Sequence, residues 1–271
     1  MTSAARAPAV AGRFYPRRAD ELVRDIHKYM PDDESLRIAA IGCIAPHAGY
    51  MFSGHVAGAV YSRLQIPKHC VILCPNHTGV GVPLATMTSA VWQTPLGNLT
   101  PDAELAAELR QRFAALAEDG TAHRSEHAIE VQLPFLQARH ADLSFVPIVV
   151  GTSNFEVLQK LGEALAGAIS TQPEKVLIIA SSDMNHYESD AITRVKDHKA
   201  IARVLALDAR GLWEVVMNDD VSMCGFGPAI VMLTAAQRLG ATSAELVKYA
   251  TSGDISGDRD QVVGYAGIIV K

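Results

Sequence analysis

Short apolar runs rich in β-branched residues alternate with helix-forming stretches along the chain, and this alternation leaves few folds open. Strands are predicted at Ile38–Ala45, His69–Cys74, Leu143–Val150 and Lys175–Ser181, each apolar enough to be buried on both faces of a parallel sheet. Helices are predicted at Ala19–Met30, Gly54–Arg63, Asp102–Leu116, Ile129–Arg139, Phe155–Ser170, Ala191–Leu207, Arg210–Met217 and Gly227–Leu239. Pro101, Asp102 and Glu104 mark one helix start well, because proline suits a first turn and acids complement the positive end of the dipole. Glu245–Ala250 and Val262–Val270 read as antiparallel additions, and Thr78–Thr100 as a β excursion turning at Pro95-Leu96-Gly97-Asn98. The expected fold is α/β: a single domain over residues 1–271, with a central mostly parallel sheet flanked by helices on both faces.

Composition narrows the class further. A 49% hydrophobic content supplies a core covered on both faces and argues against disorder. With a net charge of −5 and one basic cluster, Arg13, Arg17 and Arg18, which reads as a solvated patch, no nucleic-acid footprint is evident. The four cysteines are scattered rather than arranged as a disulfide framework. Met1 to Val10 carries Arg6 and Pro8 without an apolar core, so no signal peptide is read, and no apolar run is long enough for a bilayer. A reducing cytoplasm is the expected setting, with neither membrane nor nucleic acid as partner.

Chemistry-bearing residues fall where the strands stop. Pro46-His47-Ala48-Gly49-Tyr50 follows the first, Pro75-Asn76-His77-Thr78-Gly79 the second, and Ser181-Ser182-Asp183-Met184-Asn185-His186-Tyr187 the fourth. In an open parallel sheet ligands bind outside the carboxyl ends of the strands, so His47, His77 and His186 can converge despite their separation in sequence. Met223-Cys224-Gly225-Phe226-Gly227-Pro228 adds a cysteine at a turn into a helix, where the dipole favours a thiolate. Two imidazoles and one sulfur make a three-donor site for one transition-metal ion, with a position left open. Taken singly, each histidine reads better as a loop or cap residue with a satisfied hydrogen bond; three at strand ends flanked by Gly and Pro favour the site. Asp183 has a plain alternative as a cap or Asx-turn at the strand end. Glu126 and Glu130, spaced four apart around His127, have one as caps of a solvated helix start. Tyr50, Tyr187 and Trp92 are either walls of an aromatic pocket or core anchors. His27, His55, His69, His123, His140 and His198 read as surface or packing residues.

Longer motifs make a resemblance specific. Ala11-Gly12-Arg13-Phe14-Tyr15-Pro16, Ala45-Pro46-His47-Ala48-Gly49-Tyr50, Pro75-Asn76-His77, Thr94-Pro95-Leu96-Gly97, Glu126-His127-Ala128-Ile129-Glu130, Ser181-Ser182-Asp183 with His186, and Cys224-Gly225 occur in order from Ala11 to Lys271. Together they resemble the Memo family (mediator of cell motility), whose bacterial and archaeal branch is the AmmeMemoRadiSam system protein B. The resemblance implies a fold like that of class III extradiol dioxygenases. It also implies metal ligands at His47, His77 and Cys224, an acid/base pair at His186 and Asp183 with Asp183 orienting the imidazole, and a pocket lined by Glu126 and His127. Tyr50 is carried beside them as a substrate-facing candidate.

Ring-cleaving dioxygenases use two histidines and a carboxylate, whereas here the third ligand is sulfur. A thiolate is softer and suits copper, zinc or a more covalent iron centre. The expectation is therefore an iron- or copper-dependent oxidoreductase acting on an unknown small molecule. Its alternatives are a non-catalytic adaptor that binds a peptide or protein in the old pocket, and a zinc hydrolase. The system name further implies a functional link to AMMECR-like and radical-SAM proteins.

Overall fold

The computed structural model describes residues 4–31 and 33–271 of the chain. Residues 1–3 of the stretch read as lacking a signal, and residue 32 of the single domain, lie outside the described residues. The strands are β1 (Ala4–Arg6), β2 (Gly42–Ala45), β3 (His69–Pro75), β4 (Leu84–Thr86), β5 (Ala90–Thr94), β6 (Gly97–Pro101), β7 (Ala117–Glu118), β8 (Ser144–Val150), β9 (Val176–Ser181), β10 (His186–Glu188), β11 (Ala244–Thr251) and β12 (Val262–Val270). The helices are α1 (Ala19–Tyr29), α2 (Tyr50–Arg63), α3 (Ala103–Arg112), α4 (Gly120–His123), α5 (Leu133–Gln137), α6 (Phe155–Ile169), α7 (Asp190–Leu205), α8 (Ala209–Asn218), α9 (Phe226–Arg238) and α10 (Gly253–Ser256).

The centre of the sheet runs β8-β3-β9-β2 with every pairing parallel, and β12 closes against β2 antiparallel, with β11 against β12. The period of two along each strand sorts the side chains cleanly. Cys70, Ile72 and Cys74 of β3, Cys43 of β2 and Leu177 and Ile179 of β9 face α1, α2 and α5. Val71 and Leu73, Ile44, and Ile178 and Ala180 face α3, α6, α7, α8 and α9. The connection from β2 through α2 to β3 steps over β9, and that from β8 through α6 to β9 steps over β3 in the opposite direction. Crossovers of one hand running in opposite directions must place their helices on opposite faces, and α2 and α6 do lie there. The carboxyl ends of β2, β3 and β9 are thereby left open as one crevice.

Two predicted helices are shorter than their sequence patterns. Asp102 caps α3 by accepting from the Leu105 amide, but the helix stops at Arg112 and Ala117–Glu118 pairs with β4. The pattern from Ile129 becomes turns before α5, because Glu130 and Gln132 bury their side chains in polar networks. No helix among the described residues is long and apolar enough to cross a membrane.

Candidate metal centre

His47 lies two residues beyond β2, His77 two beyond β3, and Cys224 two before α9, all at one end of the sheet. Nε2 of His47 is 3.3 Å from Cys224 Sγ, and the donor atoms of His47, His77 and Cys224 lie within 4.8 Å of one another. A β-carbon on Gly225 would sit 2.5 Å from the Ser181 carbonyl oxygen, so only glycine lets the cysteine turn approach the end of β9 this closely.

Hydrogen bonds fix which nitrogen each imidazole presents. The Ser181 hydroxyl donates to Ala128 O at 2.7 Å. Its oxygen therefore accepts from Gln132 Nε2 at 2.8 Å and from His47 Nδ1 at 2.9 Å. His77 Nδ1 donates to Glu126 Oε1 at 2.9 Å, while Oε2 accepts the His77 amide at 2.7 Å. Both rings are thus protonated at Nδ1 and offer a bare Nε2, the arrangement in which outer partners orient metal-binding histidines.

The electrostatics of the donors differ. Burial drives the His47 pKa well below its ordinary value, assisted by the charges of His77, His127 and His186. Burial also works to lower His77, but the hydrogen bond and charge of Glu126 outweigh it and raise the pKa. Burial and the charge of Asp183 push the Cys224 thiol upward, overriding the helix-end effect expected from sequence. A bound cation would favour this sulfur as a thiolate. Two bare imidazole nitrogens and one sulfur fit a borderline or soft transition-metal ion.

A family description, Memo-like protein, matches residues 6–269. The chain belongs to the Memo family. A MEMO1 family protein of Methanopyrus kandleri is 43% identical over 279 residues, covering 98% of this chain and 99% of that one. A MEMO1 family protein of Methanosarcina barkeri is 43% identical over 267 residues, covering 98% and 100%. Among solved structures, uncharacterized protein JW3007 from Escherichia coli K12 is similar over 84% of this chain and 98% of that one, with 14% identity and a TM-score of 0.48.

Several residues of this Memo-family site take roles other than those expected. Tyr50 is 1% exposed, donates to Val131 O and packs against Tyr15 and Phe135, so it is a core anchor beneath the site and no pocket wall. Asp183 does not orient His186. Its Oδ1 accepts the amides of His47 (2.8 Å) and Ala48 (3.3 Å), tying the first ligand loop to the end of β9. Burial raises its carboxyl to about 6, with those amides and the charge of His186 pulling the other way. His186 is oriented instead by Ser222, whose carbonyl accepts from Nδ1 at 2.9 Å and whose hydroxyl accepts the His186 amide.

Glu126 is a buried partner of His77 rather than a substrate contact, and Glu130 is wholly buried against Arg6 and Tyr15 rather than solvating a helix. His127 stacks on His77 with centroids 4.7 Å apart and meets His47 at 5.4 Å, so it lines the centre directly. Ser181, Gln132, Ser222 and Asn185, whose Oδ1 accepts from Ser222, carry positioning roles that sequence reading missed. The available signal was a polar side chain interrupting an apolar run, as Gln132 does between Val131 and Leu133.

Proposed function

We propose that the centre holds one iron or copper ion on His47, His77 and Cys224 and serves a dioxygenase-like oxidoreductase acting on a small activated molecule. The observation that carries this reading is the pair of bare Nε2 atoms and one sulfur within 4.8 Å, beside an imidazole, His186, that is not among the donors. Bound there, the ion would supply redox or Lewis-acid chemistry with a coordination position to spare.

The remaining work falls to the chain. Because His186 Nδ1–H is committed to the Ser222 carbonyl, its Nε2 is free to take a proton from substrate and return it. Asp183 fixes the backbone of the first ligand loop, and Glu126 strengthens His77 as a donor. His127 offers a ring face at 20% side-chain exposure against which a planar substrate can rest. Zinc suits the same donors, and a hydrolase reading would follow from it.

The test is elemental analysis of protein purified without chelator, followed by oxygen uptake with a panel of catechols and other activated aromatics. Iron or copper near one equivalent, with uptake lost in His186→Ala while metal is retained, is expected. Zinc alone at one equivalent, or redox metal with no uptake across the panel, would overturn the oxidoreductase.

A further inference from the structure

A cavity of about 830 Å³ opens between the N-terminal segment Ala5 to Val10 with Arg13 on one side and Gly120, Thr121, Arg124 and Ser125 on the other. Two of its cations lack a direct partner. Among the described residues, the guanidinium groups of Arg13 and Arg124 make no hydrogen bond or ion pair. The neighbouring basic groups are spent: Arg6 on Glu130 and on the carbonyls of His123 and Glu126, Arg17 on the Ala11 carbonyl, Arg18 on Asp20 and Glu21. Nearby carboxylates are held by other donors, so neither Arg13 nor Arg124 has one as a direct partner. Glu118 accepts from Thr88 and Ser89, Asp119 from the amides of Val82 and Thr121, Glu126 from His77 and Ala128, and Glu130 from Arg6, Ala9, Val10 and Tyr15. In a chain of net charge −5, two arginines with no hydrogen-bonded or ion-paired partner among the described residues line a single concavity.

We infer that this cavity binds a small anion, a carboxylate or phosphate group carried by a ligand, with Arg13 and Arg124 as its charge partners. Guanidinium forks match both oxyanions, and a concave site focuses their field. Thr121 and Ser125 line the same space, and their hydroxyls can add donors. Two of its lining residues adjoin, along the chain, residues that contact the metal centre. Arg13 precedes Phe14, whose ring meets that of His127 at 4.8 Å, and Ser125 precedes Glu126, which holds His77. An acidic substituent on the substrate is the simplest occupant. That last step rests on the oxidoreductase reading; the anion site itself does not.

The experiment is an amide NMR titration of the metal-free full chain at low ionic strength with inorganic phosphate, with benzoate, and with neutral benzyl alcohol. Saturable shifts confined to the amides of the cavity walls, such as Ala7, Ala9, Thr121 and Ser125, are expected for an anion and absent for the alcohol. Arg13→Gln and Arg124→Gln should each weaken binding about five- to tenfold, the size expected of one exposed charge-assisted hydrogen bond, and the double variant should abolish it. Lys160→Gln, an exposed cation on α6, should change nothing. Response to phosphate alone assigns a phosphorylated ligand, response to benzoate alone an organic acid, and both support the site. No saturable shift with either anion, or unchanged binding in the double variant, overturns it. Because metal is left out, failure here leaves the metal reading standing.

Discussion

His47 and His123 are both shut away from solvent, at 1% and 0% exposure, and burial depresses the pKa of each. Yet they are used differently. His47 stands at the carboxyl end of the sheet with Nδ1 bound to Ser181 and Nε2 facing sulfur, in a region where polar groups from four segments converge. His123 sits under the flank of the sheet, where Nε2 reaches the Ala85 carbonyl, Trp92 packs edge-on at 5.6 Å, and Nδ1 has no partner among the described residues. A buried imidazole by itself therefore says little about chemistry. What separates a donor from a packing residue is whether its second nitrogen is aimed at another donor across a space that an ion can fill.

The sharpest way to break this contrast is to remove each ring. His47→Ala should reduce bound metal from near one equivalent to near zero, measured by elemental analysis after metal loading and desalting. His123→Ala should leave the metal in place and instead lower stability by about 2–4 kcal/mol through the cavity it creates, read from denaturant unfolding. Equal metal content in the two variants would mean that position 47 is no ligand.

The difference between the two histidines was legible in part. Strand-end placement marked His47, His77 and His186 as able to converge, Cys224 joined them at a turn, and the family resemblance singled out His47, His77 and Cys224, while His123 stayed among the surface or packing residues. The structure brings the donors of His47, His77 and Cys224 within 4.8 Å of one another and buries His123. The parallel centre and the antiparallel β11 and β12 were readable for the same reason: apolar runs of strand length separated by helices admit few topologies. Hydrogen-bond direction was not readable. Asp183 lies three residues before His186, and proximity in sequence suggested that it orients that ring, but the strand end turns its carboxylate toward the amides of His47 and Ala48. Tyr50 opens α2 directly after a ligand loop, yet the first turn points its ring into the core. Such choices depend on packing across the sheet, which no local pattern encodes.

Acid should act on the two regions at different sites, and His123 gives the cleaner signal because it lies away from the donors. Its folded pKa is depressed to about 4, below the ordinary value near 6.5, so the unfolded chain takes up the proton first as pH falls. Its contribution to stability is complete above pH 6.5 and is lost between there and pH 4, a change of roughly 3 kcal/mol. His123→Gln should remove up to one proton from the pH slope of unfolding free energy between pH 5 and 6, about 1.4 kcal/mol per pH unit, whatever its effect on absolute stability. An unchanged slope would show that the ring is not the titrating group.

The supporting partners of the donors should give smaller effects than the donors themselves. Ser181→Ala and Glu126→Gln each keep all three donor atoms but release a ring from its fixed tautomer, and each should weaken metal affinity about 10–100-fold in competition with a chelator. Ser222→Ala, which removes a hydroxyl that contacts the His186 amide and Asn185 Oδ1 but none of the three donors, should leave metal affinity unchanged. If all three variants bind metal like the parent chain, the buried network around the centre serves folding and not ligation.

The smallest expected effect concerns backbone strain, which the two regions also distribute unequally. Among the described residues, three non-glycine residues have a left-handed backbone: Leu207 and Asp220 follow the last residues of α7 and α8, where helices commonly end this way. Tyr187 has no such excuse. It has φ of +61°, forms a bulge between His186 and Glu188 against β12, leaves 72% of its surface exposed, and lies 5.6 Å ring to ring from His186. Bulges and left-handed non-glycine residues cost stability and recur beside functional sites, where they aim a neighbouring side chain. Tyr187→Gly should therefore raise stability by up to about 1 kcal/mol, or about 2 °C in Tm, whereas Tyr187→Ala, which keeps the β-carbon, should not. If alanine stabilises as much as glycine, the strain is not in the backbone, and the contrast between a relaxed core and a strained site edge fails at this position.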